Sequence, residues 1–182
     1  MSTRTLTTSR PAPARPRWAL PPRLRRAVLV VHILSAAAWI GVDVMVAVLV
    51  AAGGVGDDPA VRGVAYQALA RFAVTPMLAA GLTCLASGLV LGLGTKWGLV
   101  RYWWVAVKLV LNLVLCTLII GLLRPGMAEV RDTGEALSAG APAIADLSGL
   151  FFPPAVSLTA LTVAVTLSVF KPWGRIRAAA AR

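Results

Sequence analysis

Four long apolar stretches constrain this sequence more than any other feature. They run over approximately residues 27–52, 72–93, 102–123 and 147–170. An α-helix needs about 20 mostly apolar residues to cross the hydrocarbon core of a bilayer, whereas buried strands are much shorter. Backbone groups in lipid must be satisfied within their own segment, which helices achieve. The sequence therefore predicts an all-α, polytopic membrane protein built as a four-transmembrane-helix bundle.

Composition excludes most other classes of protein. The chain is 58% hydrophobic and only 14% charged, whereas soluble domains are about 45–50% apolar and about 25% charged. A disordered chain would be less hydrophobic, and two cysteines are too few for a disulfide scaffold. A cleaved signal peptide is disfavoured, because the first stretch is longer than the signal core of about 7–15 residues and contains Asp43.

Domain organisation follows from the same pattern. Residues 1–23 are rich in Thr, Ser, Pro, Ala and Arg and are predicted to form a disordered basic tail. Residues 24–171 form the predicted transmembrane domain, and residues 172–182 a second basic tail. The segment Ala60–Arg71 is compatible with an extension of the second helix outside the bilayer. The acidic segment Met127–Ser138 is compatible with a helix at the interface or in solvent.

The net charge of +11 separates by side of the membrane. Four spans place both tails and the loop 92–101 on one side. The N-terminal tail has seven arginines, the C-terminal tail has four basic residues, the loop has two, and none of these segments contains an acid. The other side has four arginines and six acids. Cytoplasmic segments are enriched in Lys and Arg, so both termini are predicted to be cytoplasmic, in the cell (inner) membrane, with anionic lipids at that face as partners. No nucleic-acid partner is expected, because no binding module lies outside the membrane.

Polar residues inside two spans are the candidate functional residues. His32, Trp39 and Asp43 share one face of the first span, because spacings of seven and eleven residues return to a similar direction on a helix. Lys108 and Asn112 share a face of the third span. Such residues are costly in a membrane and normally face the bundle interior. At about 1.5 Å per residue, Lys108 lies about 10 Å and Asp43 about 25 Å from the cytoplasmic ends, so no direct ion pair is expected.

Each of these groups has a structural alternative to a functional role. Asp43 either binds a proton or cation, or forms a hydrogen bond to a neighbouring helix. Lys108 either acts in the interior, where His32 matches its depth best, or extends to the cytoplasmic headgroups. Three hydroxyl groups on other spans lie at the depth of Asp43: Thr75, Thr117 and Ser157.

No resident cofactor and no catalytic activity are predicted. A single histidine excludes a haem held by two histidines of one subunit. Copper prefers sulfur and imidazole ligands, but the spacing of Cys84, Cys116, Met45 and Met77 fixes no site, so packing roles are favoured for these side chains. The sequence contains no nucleotide-binding, zinc-hydrolase or serine-hydrolase motif.

Small residues predict where helices approach closely. Gly88 and Gly92 form a G-x-x-x-G motif in the second span, and Ala37 and Gly41 form a similar pair in the first. Such motifs predict contact within the chain, in a homo-oligomer or with a membrane partner. The leading hypothesis is a non-enzymatic protein with a packing or accessory role. The alternative is a small transporter, or a metal- or haem-handling protein, that uses the intramembrane polar residues.

Four segments carry a resemblance to known families. They are residues 31–35 (VHILS), 39–43 (WIGVD), 91–99 (LGLGTKWGL) and 102–109 (YWWVAVKL). Over about residues 27–125 the chain resembles the actinobacterial integral membrane proteins of domain-of-unknown-function family 2269. That resemblance implies a four-helix inner-membrane protein of unassigned function. A more distant similarity, to the membrane domain of copper-resistance D-type proteins, implies copper handling.

Overall fold

The computed structural model describes residues 20–94, residue 99 and residues 102–170, and these residues form helices and no β-strand. A π-helical turn, Ile119–Leu123, joins the fourth helix to the fifth, and a 3-10 turn, Ser148–Phe151, leads into the sixth. Most of the predicted tails and of the loop 92–101 lies outside the described residues. The helices are α1 (Pro22–Val55), α2 (Pro59–Phe72), α3 (Val74–Leu93), α4 (Trp103–Leu118), α5 (Arg124–Ser138) and α6 (Phe152–Phe170).

Four helical segments are long and apolar enough to cross a membrane, which confirms the predicted all-α fold. They are Pro22–Val55, Pro59–Leu93, Trp103–Ser138 and Ser148–Phe170. The first three contain 34, 35 and 36 residues and are therefore about 50 Å long, well beyond a hydrocarbon core of about 30 Å. Each of these three segments must therefore continue outside the membrane.

The helices pack as a four-helix bundle with a smaller helix pair at one end. Helix α1 packs against α3 and α6, and α4 also packs against α3 and α6. Helix α2 packs against α5 and against the last turns of α1. Because α2 precedes α3 and α5 follows α4, the α2–α5 pair lies at the end of the bundle where α1 ends and α6 begins. We call this end the α2/α5 end.

The second membrane-spanning segment bends between α2 and α3. Pro76 explains the bend at Ala73, because its ring clashes with the carbonyl of Phe72 and it has no N–H to donate. Residues 60–71 are helical, as the sequence allowed, and they precede α3 across the bend at Ala73. Asp58 begins α2 by accepting a hydrogen bond from the Ala60 backbone N–H at 2.8 Å.

The third membrane-spanning segment contains the π turn. The Arg124 N–H donates to the carbonyl of Ile119, five residues earlier. Pro125 has no N–H for the carbonyl of Gly121, so a regular α-helix would lose a hydrogen bond here. The segment Met127–Ser138 is helical and belongs to α5, as its composition predicted. Single π turns are rare and are frequently found at functional sites.

Two glycines allow α2 and α5 to touch through their backbones. A Cβ atom on Gly134 would lie 2.9 Å from the carbonyl oxygen of Gly63, and a Cβ atom on Gly63 would lie 2.7 Å from the carbonyl oxygen of Gly134. Gln67 Nε2 donates to the carbonyl of Gly134 at 3.2 Å and to Ser138 Oγ at 2.8 Å. Both van der Waals contacts and hydrogen bonds therefore stabilise the crossing of α2 and α5.

Candidate intramembrane site at Asp43

The polar face of α1 points into the bundle. The side chains of Trp39 and Asp43 are 0% exposed, Ser35 is buried, and His32 is half-buried. Positions on the opposite face, such as Leu34 and Val44, are exposed and apolar. A membrane helix with one polar face directs it away from lipid, and the predicted orientation of this face agrees with the structure.

Asp43 has a hydrogen bond to only one of its carboxyl oxygens. Ser157 Oγ on α6 donates to Asp43 Oδ2 at 2.5 Å, whereas Asp43 Oδ1 has no hydrogen-bond partner among the described residues. None of the bases in the described segments lies within ion-pair distance of Asp43. Of the three hydroxyls predicted at its depth, Ser157 forms the bond, and Thr117 donates instead to the carbonyl of Leu113.

A cavity of about 130 Å³ lies beside Asp43 at the α2/α5 end of the bundle. Among the described residues, Asp43 and Ser157 are the only polar side chains that line it, and the π turn forms part of its wall. Leu118, Leu122 and Val156 also line the cavity and are 42%, 68% and 50% exposed. The remaining lining residues are apolar: Val46, Met77, Leu115, Ile119, Leu123, Pro153 and Pro154.

Trp39 fills the bundle one helical turn from Asp43, away from the α2/α5 end. Its indole packs against Gly81 of α3, where a Cβ atom would lie 2.9 Å from Trp39 Cη2 and 3.1 Å from Cys116 Sγ. The indole nitrogen is buried and has no hydrogen-bond partner in the described part of the chain. Sequence reasoning overlooked Gly81, although it lies on the same face of α3 as Cys84 and Gly88, three and seven residues later.

His32 fastens α1 to α3 nearer the opposite end of the bundle. His32 Nδ1 lies 3.0 Å from the carbonyl oxygen of Cys84 and 3.0 Å from Ser87 Oγ. A Cβ atom on Gly88 would lie 3.1 Å from His32 Cε1. Gly88 therefore allows close packing, as predicted, and the side chain that packs against it is that of His32.

Lys108 and Asp43 contact α6 at well-separated positions. Lys108 Nζ donates to Ser168 Oγ at 2.9 Å and lies 4.7 Å from the centroid of the Trp104 ring. Ser157 and Ser168 are eleven residues apart on one helix, which corresponds to about 16 Å along its axis. The predicted absence of a direct Asp43–Lys108 ion pair is confirmed.

Asn112 lies between these two levels and links α4 to α3. Asn112 Nδ2 donates to the carbonyl of Gly81 at 3.5 Å, and Cys116 Sγ donates to Asn112 Oδ1 at 3.5 Å. Asn112 thus belongs to the layer of Trp39 and Gly81 and does not line the cavity beside Asp43.

The bundle does not use Gly41 for close packing, so its predicted packing role stays a prediction for contact with a second copy or a membrane partner. Gly41 is exposed, and a Cβ atom there would meet nothing within 4 Å. Gly41 is two residues from both Trp39 and Asp43, and a step of two residues turns a helix by about 200°, so Gly41 faces away from the bundle. Gly92 is buried, and the side chain of Leu99 packs where its Cβ atom would lie.

The sulfur-containing residues do not assemble into a metal site. Met45 is exposed whereas Met77 lines the cavity, and the two cysteines lie farther from the α2/α5 end, beside His32 and Trp39 respectively. Within residues 20–94, 99 and 102–170, no group of three or more His, Cys, Asp or Glu side chains is placed to hold a metal ion. The described residues therefore provide no set of ligands for copper.

Comparison with known proteins does not assign a family. The sequence matches no family model, and searches of the curated proteins and of the solved structures gave no match.

Proposed function

We propose that this chain is a non-enzymatic transporter of the cell membrane in which Asp43 binds a proton and a small cation alternately. The observation that carries the proposal is a fully buried carboxyl group that lines an apolar cavity and has one oxygen without a partner in the part of the chain that the structure describes. Among the hypotheses drawn from the sequence, this one develops the transporter alternative.

An intramembrane carboxylate without a counter-ion is unfavourable. The free-energy cost is removed when the group takes up a proton or binds a cation. The Ser157 hydroxyl provides only one hydrogen bond to Asp43, which leaves Oδ1 for the second ligand. A purely structural carboxyl group would be expected to have both oxygens satisfied, because half-satisfied buried polar groups destabilise a fold.

Trp39 supplies the barrier that a transporter needs. Its side chain is fully buried and fills the bundle between Asp43 and the level of His32. The cavity residues Leu118, Leu122 and Val156 are exposed on the lipid-facing surface. Asp43 is therefore loaded sideways from the bilayer, through the cavity that lies at the α2/α5 end of the bundle, and movement of the Trp39 indole opens the path toward the opposite end.

The orientation that we propose places the α2/α5 end outside the cytoplasm. The support is the charge distribution, since the basic tails and the loop 92–101 share the opposite side. Anionic lipids at the cytoplasmic face are the proposed partners of these bases. The resemblance to family 2269 agrees with an inner-membrane protein and adds no activity.

A second candidate function, an accessory subunit, is favoured by one specific surface. Ala37 and Gly41 lie on an exposed face of α1, and a Cβ atom at Gly41 would meet nothing within 4 Å among the described residues. Small residues on a lipid-facing surface allow another helix to approach closely. A role limited to packing would make no use of the unpartnered oxygen of Asp43. Chemical labelling of the Asp43 carboxyl group therefore distinguishes a transporter from an accessory subunit.

Covalent labelling tests whether Asp43 is a protonatable group reached from lipid. An apolar carbodiimide such as diisopropylcarbodiimide adds to a protonated carboxyl and rearranges to a stable N-acylurea. We expect mass spectrometry of the labelled protein in lipid nanodiscs to find the adduct on Asp43, with a yield that decreases as the pH rises. The six other acids lie in exposed segments and should react preferentially with a water-soluble carbodiimide.

The control variants for this labelling are Ser157→Ala and Asp58→Asn. Ser157→Ala keeps the cavity and should retain the adduct on Asp43, and Asp58→Asn removes an exposed acid and should leave the labelling unchanged. An unlabelled Asp43 at every pH, with the exposed acids labelled normally, would contradict the proposed function.

A further inference from the structure

We infer that the cavity beside Asp43 binds a small lipophilic organic cation, a protonated primary or secondary amine, that enters from the bilayer between α4 and α6. This inference rests on the proposed function and names the substrate class of the same site. The contacts, the size and the opening of the cavity each support one part of it.

The number of polar groups excludes an inorganic cation as the preferred ligand. Hard metal cations require about six or more oxygen ligands, whereas among the described residues only Asp43 and Ser157 offer side-chain oxygens to the cavity. An ammonium group needs only one hydrogen-bond acceptor for each N–H. Asp43 Oδ1 has no hydrogen-bond partner among the described residues but is fully buried, so the carboxyl group must turn toward the cavity to accept N–H groups from the ligand. Oδ1 can then accept two N–H groups, and Ser157 Oγ, which donates to Asp43 Oδ2, retains a lone pair to accept a third.

The apolar lining determines the rest of the ligand. Ten of the twelve lining residues are apolar, and burying apolar surface stabilises a complex by about 25 cal/mol per Å². A dry cavity of about 150 Å³ lined by apolar residues is large enough to bind benzene. The cavity volume of about 130 Å³ therefore suits one small ring or a short branched alkyl group attached to the nitrogen.

The opening of the cavity faces lipid. Leu118 and Leu122, from the end of α4 and the π turn, are exposed on one wall, and Val156 of α6 is exposed on the other. All three are apolar, so the route to Asp43 passes through a surface that contacts acyl chains. A strongly hydrated ion would lose its water shell on this route, whereas a lipophilic amine partitions into the bilayer.

Proton balance couples the amine to Asp43. When a protonated amine binds to the neutral carboxyl, the carboxyl proton leaves to solvent and the ion pair forms. Affinity should therefore decrease as the pH is lowered. No Asp, Glu, Lys or Arg of α3, α4 or α6 lines the cavity in the described residues, and the thiols of Cys84 and Cys116 and the imidazole of His32 lie at or beyond the level of Trp39.

Binding of benzylammonium to the full chain in lipid nanodiscs tests the inference. We expect saturable binding by saturation-transfer NMR, weaker at low pH, with affinity reduced about 10- to 100-fold in Asp43→Asn because a charge-assisted hydrogen bond is lost. Asp146→Asn, at an exposed acid, should bind as the wild type does. Benzyl alcohol, the neutral ligand of similar size, should bind weakly and equally to the wild type and Asp43→Asn.

A second pair of variants tests the cavity itself. Val156→Trp places a large ring at the opening and should abolish benzylammonium binding, whereas Val165→Trp, at a position of similar exposure farther along α6, should not. Equal affinities in Val156→Trp, Val165→Trp and the wild type, or in Asp43→Asn and the wild type, would overturn the inference.

The outcomes distinguish this inference from the proposed function. If benzylammonium does not bind to the wild type while Asp43 still reacts with the apolar carbodiimide, the substrate class is wrong and the proton-binding role of Asp43 stands. If Asp43 neither reacts nor binds the amine, both proposals fail.

Discussion

Substitution of Gly134 by leucine should break the crossing of α2 and α5 and cause a large loss of stability. The new Cβ atom would lie 2.9 Å from the carbonyl oxygen of Gly63 and 3.0 Å from the backbone nitrogen of Gln67. Backbone atoms cannot move aside as the end of a flexible side chain can, so the helices must separate. Overpacking costs about 1–3 kcal/mol and sometimes more, and we expect about 3 kcal/mol here.

The matched control is Gly126→Leu on the same helix. A Cβ atom on Gly126 would meet nothing within 4 Å, and both substitutions gain the same helix propensity, about 1 kcal/mol. Thermal unfolding in detergent, followed by far-ultraviolet circular dichroism, should give a midpoint about 6–12 °C lower for Gly134→Leu and an unchanged or slightly higher midpoint for Gly126→Leu. Equal midpoints for the two variants would show that α2 and α5 do not cross at these glycines.

Substitution of Asp43 by leucine should increase the stability of the protein while removing its proposed function. Replacing buried ionic groups by apolar side chains of similar volume is often stabilising by about 1–4 kcal/mol, and Asp43 has one unpartnered oxygen beside an apolar cavity. We expect a gain of about 1–2 kcal/mol, measured as a higher thermal midpoint in detergent. The Ser157 hydroxyl, left without Asp43, can turn to a carbonyl one turn earlier, as Thr159 and Thr162 on α6 do.

The packing hypothesis predicts the opposite sign for this variant. If the Asp43–Ser157 hydrogen bond served mainly to hold α1 against α6, Asp43→Leu and Ser157→Ala would both reduce the free energy of unfolding by about 1–3 kcal/mol. Both variants would then have a lower thermal midpoint. A higher midpoint for Asp43→Leu together with loss of carbodiimide labelling would indicate that Asp43 is retained for function at the expense of stability.

The sequence predicted the helices and their inward-facing polar residues, because those properties depend on local hydrophobicity and helical periodicity. Trp39 and Asp43 are buried on one face of α1 as their spacing indicated. Lys108 and Asp43 lie at different depths, as predicted, because depth along a helix depends only on the rise per residue.

The features that define the site could not be predicted in the same way. The cavity depends on how α1, α4 and α6 pack together and on the π turn. The hydrophobic periodicity does not predict this turn, although Pro125 is its local cause. Glycine motifs indicated that helices approach closely but not which glycines do so. Gly41 faces outward, whereas Gly81 accepts the Trp39 ring, because their positions relative to the neighbouring helices depend on tertiary packing.

The central claim, that Asp43 gains and loses a proton inside the bundle, is tested most directly by infrared titration of the protein in lipid nanodiscs. The carbonyl stretching band of a protonated carboxyl should weaken as the pH rises, and benzylammonium should weaken it further at constant pH. The difference spectrum between the wild type and Asp43→Asn should contain this band. In the difference spectrum between the wild type and Asp146→Asn, benzylammonium should cause no change in the band. Identical pH-dependent spectra for the wild type and Asp43→Asn would contradict the account.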